Sequence, residues 1–142
     1  MDSKEANAYI ETAEDQLKGA ELTFKEGSYA LCTFLSASSA ENATSALLIT
    51  LGAKPSKKHR NSLIMHRLAQ RATPEMKSDM MKIIESMKTL EPHITKARYP
   101  VLKGLELLPP SRFYTKDIAE KALVQARKVL EKVKSLLGTT KL

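Results

Sequence analysis

The segment SYALCTFLSASSAENATSALLITLG, residues 28–52, decides the fold. Its apolar residues recur at helical spacing and cover more than one face, which is typical of a helix packed on several sides. Small residues fill its middle between Ala37 and Ala46, so neighbouring helices can approach it closely. The pattern predicts the central helix of a bundle, or a helix that flanks a subunit interface.

The sequence on either side of this segment predicts further helices. Apolar residues at helical spacing favour four further helices. These helices are predicted over about 3–26, over a segment after the basic residues 54–58 that ends near residue 72, over 74–90 and over 116–137. Thr73 and Thr115 are the predicted N-caps of the last two. Residues 100–114 lack periodicity and are predicted to form a long loop without a β-hairpin. The sequence therefore predicts an all-α fold, an antiparallel, up-and-down bundle of four to five helices in a single domain spanning 1–142.

Composition narrows the class of protein. The chain has 142 residues, of which 42% are apolar and 5% aromatic, which is typical of one soluble domain and unlike a β-sandwich. The lone Cys32 cannot form an internal disulfide and predicts a cytoplasmic protein with an inert core thiol. No apolar run is long enough to cross a membrane. His59 and His66 lie seven residues apart, too far along a helix to share a metal, so we expect neither metal nor cofactor.

Charge is unevenly distributed along the chain. The net charge is +7, yet residues 1–41 carry three Lys and eight acidic residues, and no acidic residue lies between Glu41 and Glu75. Within that gap, Arg60, Arg67 and Arg71 have the spacing of one helix face. Such a ridge can contact phosphates, although most charge runs are simply solvated surface. The candidate nucleotide- or RNA-binding residues of this segment are Lys57, Lys58, His59, Arg67 and Arg71.

The same segment contains a candidate catalytic set. Arg60 could stabilise a phosphorane-like transition state, and His66 could act as general base on a ribose 2′-hydroxyl, with Asn61 orienting one of them. Six residues of helix place Arg60 and His66 roughly 120° apart, so one chain does not easily bring them together. A two-fold dimer could combine two such sets.

Arg98 and Tyr99 form a further candidate beside the predicted loop. They precede Pro100 and could hold a phosphate or stack a base. The alternative is structural, because an arginine can also pin a loop by donating hydrogen bonds to the carbonyls at a helix end.

The order of several motifs resembles the HEPN family, the higher eukaryote and prokaryote nucleotide-binding domains. Residues 40–48 (AENATSALL) resemble the family's second-helix pattern, and Gly27-Ser28-Tyr29-Ala30 resembles its helix start. His59 falls where many members have a His, Arg98-Tyr99-Pro100 resembles the RYP motif, and residues 114–119 resemble the entry to the last helix. The family's lysine in the second-helix pattern is replaced by Ser45.

The resemblance implies a helical bundle, commonly a homodimer, that acts on nucleotides or RNA. Many members are paired with a small nucleotidyltransferase in toxin–antitoxin or defence systems. Active members are metal-independent ribonucleases with an Arg, four to six residues and a His, a spacing that Arg60 and His66 match.

Three hypotheses follow. The first is a module that dimerises through its small-residue helix and binds nucleotide or RNA phosphates through residues 54–71 and Arg98. The second is a metal-independent ribonuclease that uses Arg60, Asn61 and His66. The third is a protein-binding scaffold whose acidic amino-terminal part docks a basic partner.

Overall fold

The computed structural model describes residues 3–140 and the side chains of 4–138. In chain order the elements are α1 (Ser3–Lys25), α2 (Tyr29–Thr50), α3 (Asn61–Ala69), α4 (Pro74–Leu90), α5 (His93–Lys96), β1 (Val101–Lys103), β2 (Glu106–Leu108), α6 (Pro110–Phe113) and α7 (Lys116–Thr140). Five of these helices have nine residues or more within the described chain. The predicted all-α, antiparallel bundle of four to five helices is confirmed.

Helix α2 is the centre of the bundle. It packs along α1 and α7, which also contact each other. A Cβ added to Gly19 of α1 would lie 3.2 Å from Leu35 Cδ1 of α2, so glycine permits the close approach there. Ser39 Oγ donates a hydrogen bond of 2.6 Å to the Ala13 carbonyl across the same contact. Small side chains therefore set the helix spacing, as the sequence predicts.

The small residues of α2 are buried inside one chain. Ala37, Ala40, Ala43 and Ala46 are fully inaccessible to solvent. They are not available to a second copy, so the expectation of a dimer formed through this stripe is wrong. The homodimer itself stays a prediction.

The acidic amino-terminal helix is partly neutralised within the chain. Glu21 Oε2 accepts a hydrogen bond of 2.8 Å from Arg127 Nη2, and Glu14 pairs with Lys134. Both cations belong to α7, which lies beside α1. Part of the acidic surface that the scaffold hypothesis offers to a partner is therefore paired inside this chain.

The second half of the bundle is built on methionine and isoleucine. Thr73 caps α4, its Oγ1 accepting a hydrogen bond of 3.3 Å from the Met76 amide, and Pro74 occupies the first turn. Met80 and Met87 are fully buried, and their flexible side chains fill the core.

The segment 100–114 differs from its predicted loop. Strands β1 and β2 form an antiparallel hairpin, and α6 follows. Gly104, at φ 64°, occupies the first position of the two-residue turn, where a type II′ turn uses glycine. Leu102 and Leu107 face each other on its exposed side, at 68% and 67% exposure. The prediction of no hairpin is wrong, because exposed leucines on both strands hide the alternation that marks a strand.

No described helix combines the length and the apolar character that crossing a membrane requires. Cys32 is buried, as predicted, and burial raises the pKa of its thiol.

Candidate functional site

The basic ridge is divided by the local backbone. His59 has a left-handed backbone at φ 59°, and Arg60 is the non-helical residue before α3, at φ −128° and ψ 47°. Helix α3 begins only at Asn61 and ends at Ala69, so Arg71 also lies outside it. The prediction that Arg60, Arg67 and Arg71 share one helix face is therefore wrong.

Asn61 fastens the α2–α3 loop, residues 51–60, to α2. The residue is 1% exposed, and its Nδ2 donates to the Glu41 carbonyl at 3.1 Å, to Thr44 Oγ1 at 2.9 Å and to Ser45 Oγ at 3.0 Å. Its Oδ1 accepts a hydrogen bond of 2.9 Å from the Ser56 amide. Both polar atoms of the side chain are thus engaged in holding the loop.

Two further contacts shape the loop. Ser56 Oγ accepts hydrogen bonds from the backbone amides of Lys58 and Arg60, each at 3.1 Å. The imidazole Nδ1 of His59 lies 2.6 Å from Glu41 Oε2 of α2. The loop therefore has a fixed conformation, determined by α2 and by its own serine.

Glu91 joins the end of α4 to the beginning of α3. Its carboxylate accepts hydrogen bonds from the Ser62 amide at 2.9 Å and from Ser62 Oγ at 2.6 Å. An acceptor at this position satisfies a free amide of the first helical turn. Burial raises the pKa of Glu91, while the bonds to Ser62 oppose that rise.

A basic cleft opens between this loop and the α4–α5 junction. Its volume is about 600 Å³, within the range of small-molecule sites. Its charged lining consists of the cations Lys58, Arg60, Lys88 and Lys96, the imidazole of His59 and the carboxyl group of Glu91. Four permanent cations from three segments thus surround one acid that is already hydrogen-bonded to Ser62. We refer to this site as the basic cleft.

Several predicted site residues lie elsewhere. His66, Arg67 and Lys57 are exposed and do not line the basic cleft. Arg71 borders a separate, largely apolar hollow of about 260 Å³. Arg60 and His66 therefore do not share a cleft within one chain, and the catalytic role of Arg60, Asn61 and His66 stays a prediction.

Arg98 holds the chain before the hairpin. Its Nε donates a hydrogen bond of 2.9 Å to the carbonyl of Ile94 in the single turn of α5. Its guanidinium carbon lies 5.5 Å from the ring centroid of Phe34 and 5.3 Å from that of Tyr99. These contacts favour the structural alternative for Arg98, while Tyr99 remains 54% exposed.

The structure adds residues that the sequence analysis missed. Lys88, Lys96, Ser62 and Glu91 all line the basic cleft. Lys88, Glu91 and Lys96 lie about 30 residues after the α2–α3 loop, so no local pattern joins them to it. Among residues 3–140, no three His, Cys, Asp or Glu side chains gather where they could hold a metal ion.

Comparison with known proteins defines the class. Residues 6–136 match the HEPN domain. A protein of Methanocaldococcus jannaschii named "Putative toxin MJ1304" is 31% identical over 136 residues, which cover 94% of this chain and 89% of the relative. The crystal structure of TT1696 from Thermus thermophilus has 29% sequence identity and a TM-score of 0.70, and the match covers 92% of this chain and 96% of that one. The chain belongs to the HEPN family.

Proposed function

We propose that this HEPN protein binds the phosphates of a nucleotide or RNA in the basic cleft. The observation that carries the proposal is the convergence of Lys58, Arg60, Lys88 and Lys96 from three segments around one concave volume. Charges on a merely solvated face have no reason to converge in this way. The field of such a cleft concentrates anions near the surface.

The chemistry of the lining favours phosphate over base recognition. Arg60 offers a planar fork of donors for phosphate oxygens, and the lysines offer mobile point charges. No Phe, Tyr or Trp side chain lines the basic cleft, and the imidazole of His59 is the one aromatic ring among its lining residues. We therefore expect binding that weakens steeply with salt and depends little on base identity.

The family relationship suggests a biological setting. The Methanocaldococcus jannaschii relative bears the name of a toxin. We propose that this chain also works in a toxin–antitoxin or defence pair, with a small nucleotidyltransferase as its partner protein. Isolation of the tagged chain from its own host, followed by mass spectrometry of what co-purifies, tests this setting. Recovery of the chain without a nucleotidyltransferase would contradict it.

Charge reversal at a matched pair of lysines tests the binding site. Lys88 and Lys82 are both exposed on α4, but Lys88 lines the basic cleft and Lys82 lines a different groove. Binding of a fluorescein-labelled single-stranded RNA is followed by polarisation at low salt, with ATP as competitor. We expect Lys88→Glu to weaken binding about tenfold, which corresponds to about 1.4 kcal/mol. Lys82→Glu controls for the change in net charge.

The outcomes separate a site from general electrostatics. Equal losses in both variants would mean that net charge alone attracts the RNA, and the basic cleft would not be the site. If neither RNA nor ATP binds the wild type or raises its melting temperature at low salt, the proposed function is wrong.

A further inference from the structure

The hairpin of β1 and β2 carries a concentration of exposed leucine. Among residues 4–138, the three most exposed large apolar side chains are those of Leu102, Leu105 and Leu107. Leu102 and Leu107 are a cross-strand pair, so their side chains lie on the same face of the hairpin. Leu105 follows Gly104 in the turn between the strands and is fully exposed. Clustered apolar exposure of this kind marks interaction sites, and we refer to these three side chains as the leucine tip.

The base of the hairpin is attached to the bundle, whereas its far end is not. Val101 and Leu108, which pair at the base, are half-buried. Every residue from 102 to 107 is exposed. The leucine tip therefore projects from the bundle into solvent instead of packing against a helix.

The chain around the leucine tip is basic. Residues 96–116 contain five Lys and Arg residues and one acidic residue, Glu106. All five cations are exposed, and the ion pairs among residues 4–138 involve none of them. The next acidic residue, Asp117, is paired with Lys121. A positive local charge thus accompanies the apolar tip, and it comes from Lys96, Arg98, Lys103, Arg112 and Lys116.

We propose that the leucine tip inserts into the interfacial region of an anionic lipid bilayer. Apolar side chains are stabilised when they leave water for the boundary of the acyl chains, and nearby Lys and Arg residues are attracted by anionic headgroups. Tyr99, two residues before β1, is 54% exposed and belongs to a residue type that is enriched at this interface. Attachment of this kind holds a protein at the bilayer surface and requires no helix that crosses it.

A second copy of the chain fits the leucine tip less well than a bilayer does. A two-fold contact through the tip would bring residues 96–116 of one copy towards the same basic segment of the other. Like charges repel at close range, whereas a layer of anionic headgroups attracts them. Charge complementarity therefore favours the bilayer.

Vesicle binding by two variants of equal charge tests the proposal. Sucrose-loaded vesicles of phosphatidylcholine and phosphatidylglycerol in equal parts are sedimented with the wild type, Leu105→Asp and Leu22→Asp. Leu22 is also an exposed leucine, but it lies on α1, outside the hairpin. We expect Leu105→Asp to weaken binding about tenfold or more, because its side chain would carry a charge into the bilayer, and Leu22→Asp to bind like the wild type. Leu105 is fully exposed, so the substitution removes no packing, and circular dichroism confirms that both variants are folded.

A single tryptophan reports insertion directly. The chain contains no Trp, so Leu105→Trp and Leu22→Trp each provide one indole at a chosen site. When vesicles are added, the emission of Leu105→Trp should shift to shorter wavelength and be quenched by brominated acyl chains, because the indole leaves water. The emission of Leu22→Trp should not change.

Several results would overturn the proposal. Wild type that stays in the supernatant does so, and so does Leu105→Asp that binds as well as the wild type, since cations alone would then attract the vesicles. Equal losses in the two Asp variants would assign the binding to net charge. A wild-type dimer that Leu105→Asp dissociates, measured by sedimentation velocity without vesicles, would assign the leucine tip to self-association. RNA binding in the basic cleft should be the same in Leu105→Asp as in the wild type, so the proposed function is tested separately.

Discussion

Replacing Asn61, the first residue of α3, by alanine should strongly destabilise the protein, because its side chain fastens the α2–α3 loop to α2. The substitution removes three contacts donated to α2 and leaves the Ser56 amide without its acceptor. A typical hydrogen bond contributes about 1 kcal/mol net, and a buried group left unpaired costs about 1–3 kcal/mol. Because Asn61 is 1% exposed, water cannot easily replace the lost partners. From these terms we expect a loss of about 3 kcal/mol in the free energy of unfolding.

Urea denaturation followed by circular dichroism measures this loss. Asn42→Ala is the matched control, because Asn42 is half-buried and its Nδ2 donates one hydrogen bond of 2.7 Å to Gln16 Oε1. That variant should lose about 1 kcal/mol or less. Nearly equal losses in the two variants, or a loss below about 0.5 kcal/mol for Asn61→Ala, would refute the view that Asn61 fastens the loop to α2.

Three further predictions concern single groups. Burial raises the pKa of Glu91, so the folded state holds the proton of this carboxyl group more tightly than the unfolded state does. The stability that results is fully present below the ordinary carboxyl pKa and is lost as the pH rises through the raised pKa. When unfolding by urea is measured at increasing pH, Glu91→Gln should therefore become more stable relative to the wild type. Glu85 is exposed, so Glu85→Gln provides the baseline. The Cys32 thiol is buried with a raised pKa, so a thiol reagent should label it in urea and not in the native protein. Thr73→Ala removes the cap of α4 and should lower the free energy of unfolding by about 1 kcal/mol in the same assay, and an unchanged midpoint would contradict that role.

The helical framework could be predicted because its signals are local. The apolar periodicity of the long helices and the small residues of α2 lie within single segments. The cap at Thr73 and the proline after it also act within one turn. Local patterns of this kind determine which segments become helices, and burial of their apolar faces then determines how the helices pack.

The basic cleft could be predicted only in part because it depends on tertiary contacts. Lys58 and Arg60 belong to the acid-free segment, whereas Lys88 and Lys96 arrive from α4 and α5. The ridge is interrupted because the backbone of His59 is left-handed. The imidazole of the same residue contacts Glu41 of α2. No periodicity in the sequence encodes the approach of Lys88 and Lys96 or the left-handed backbone of His59. Helical spacing therefore placed Arg60 and Arg71 on one face, which was wrong.

The central claim is that phosphates bind in the basic cleft, and an NMR titration with inorganic tripolyphosphate tests it most directly. Amide shifts of the wild-type protein are followed at low salt, with sodium chloride added afterwards to reverse them. We predict that the largest shifts fall on residues 58–62 and 88–96, which line or adjoin the basic cleft. Largest shifts at residues 66–71, or no saturable shift, would contradict the claim.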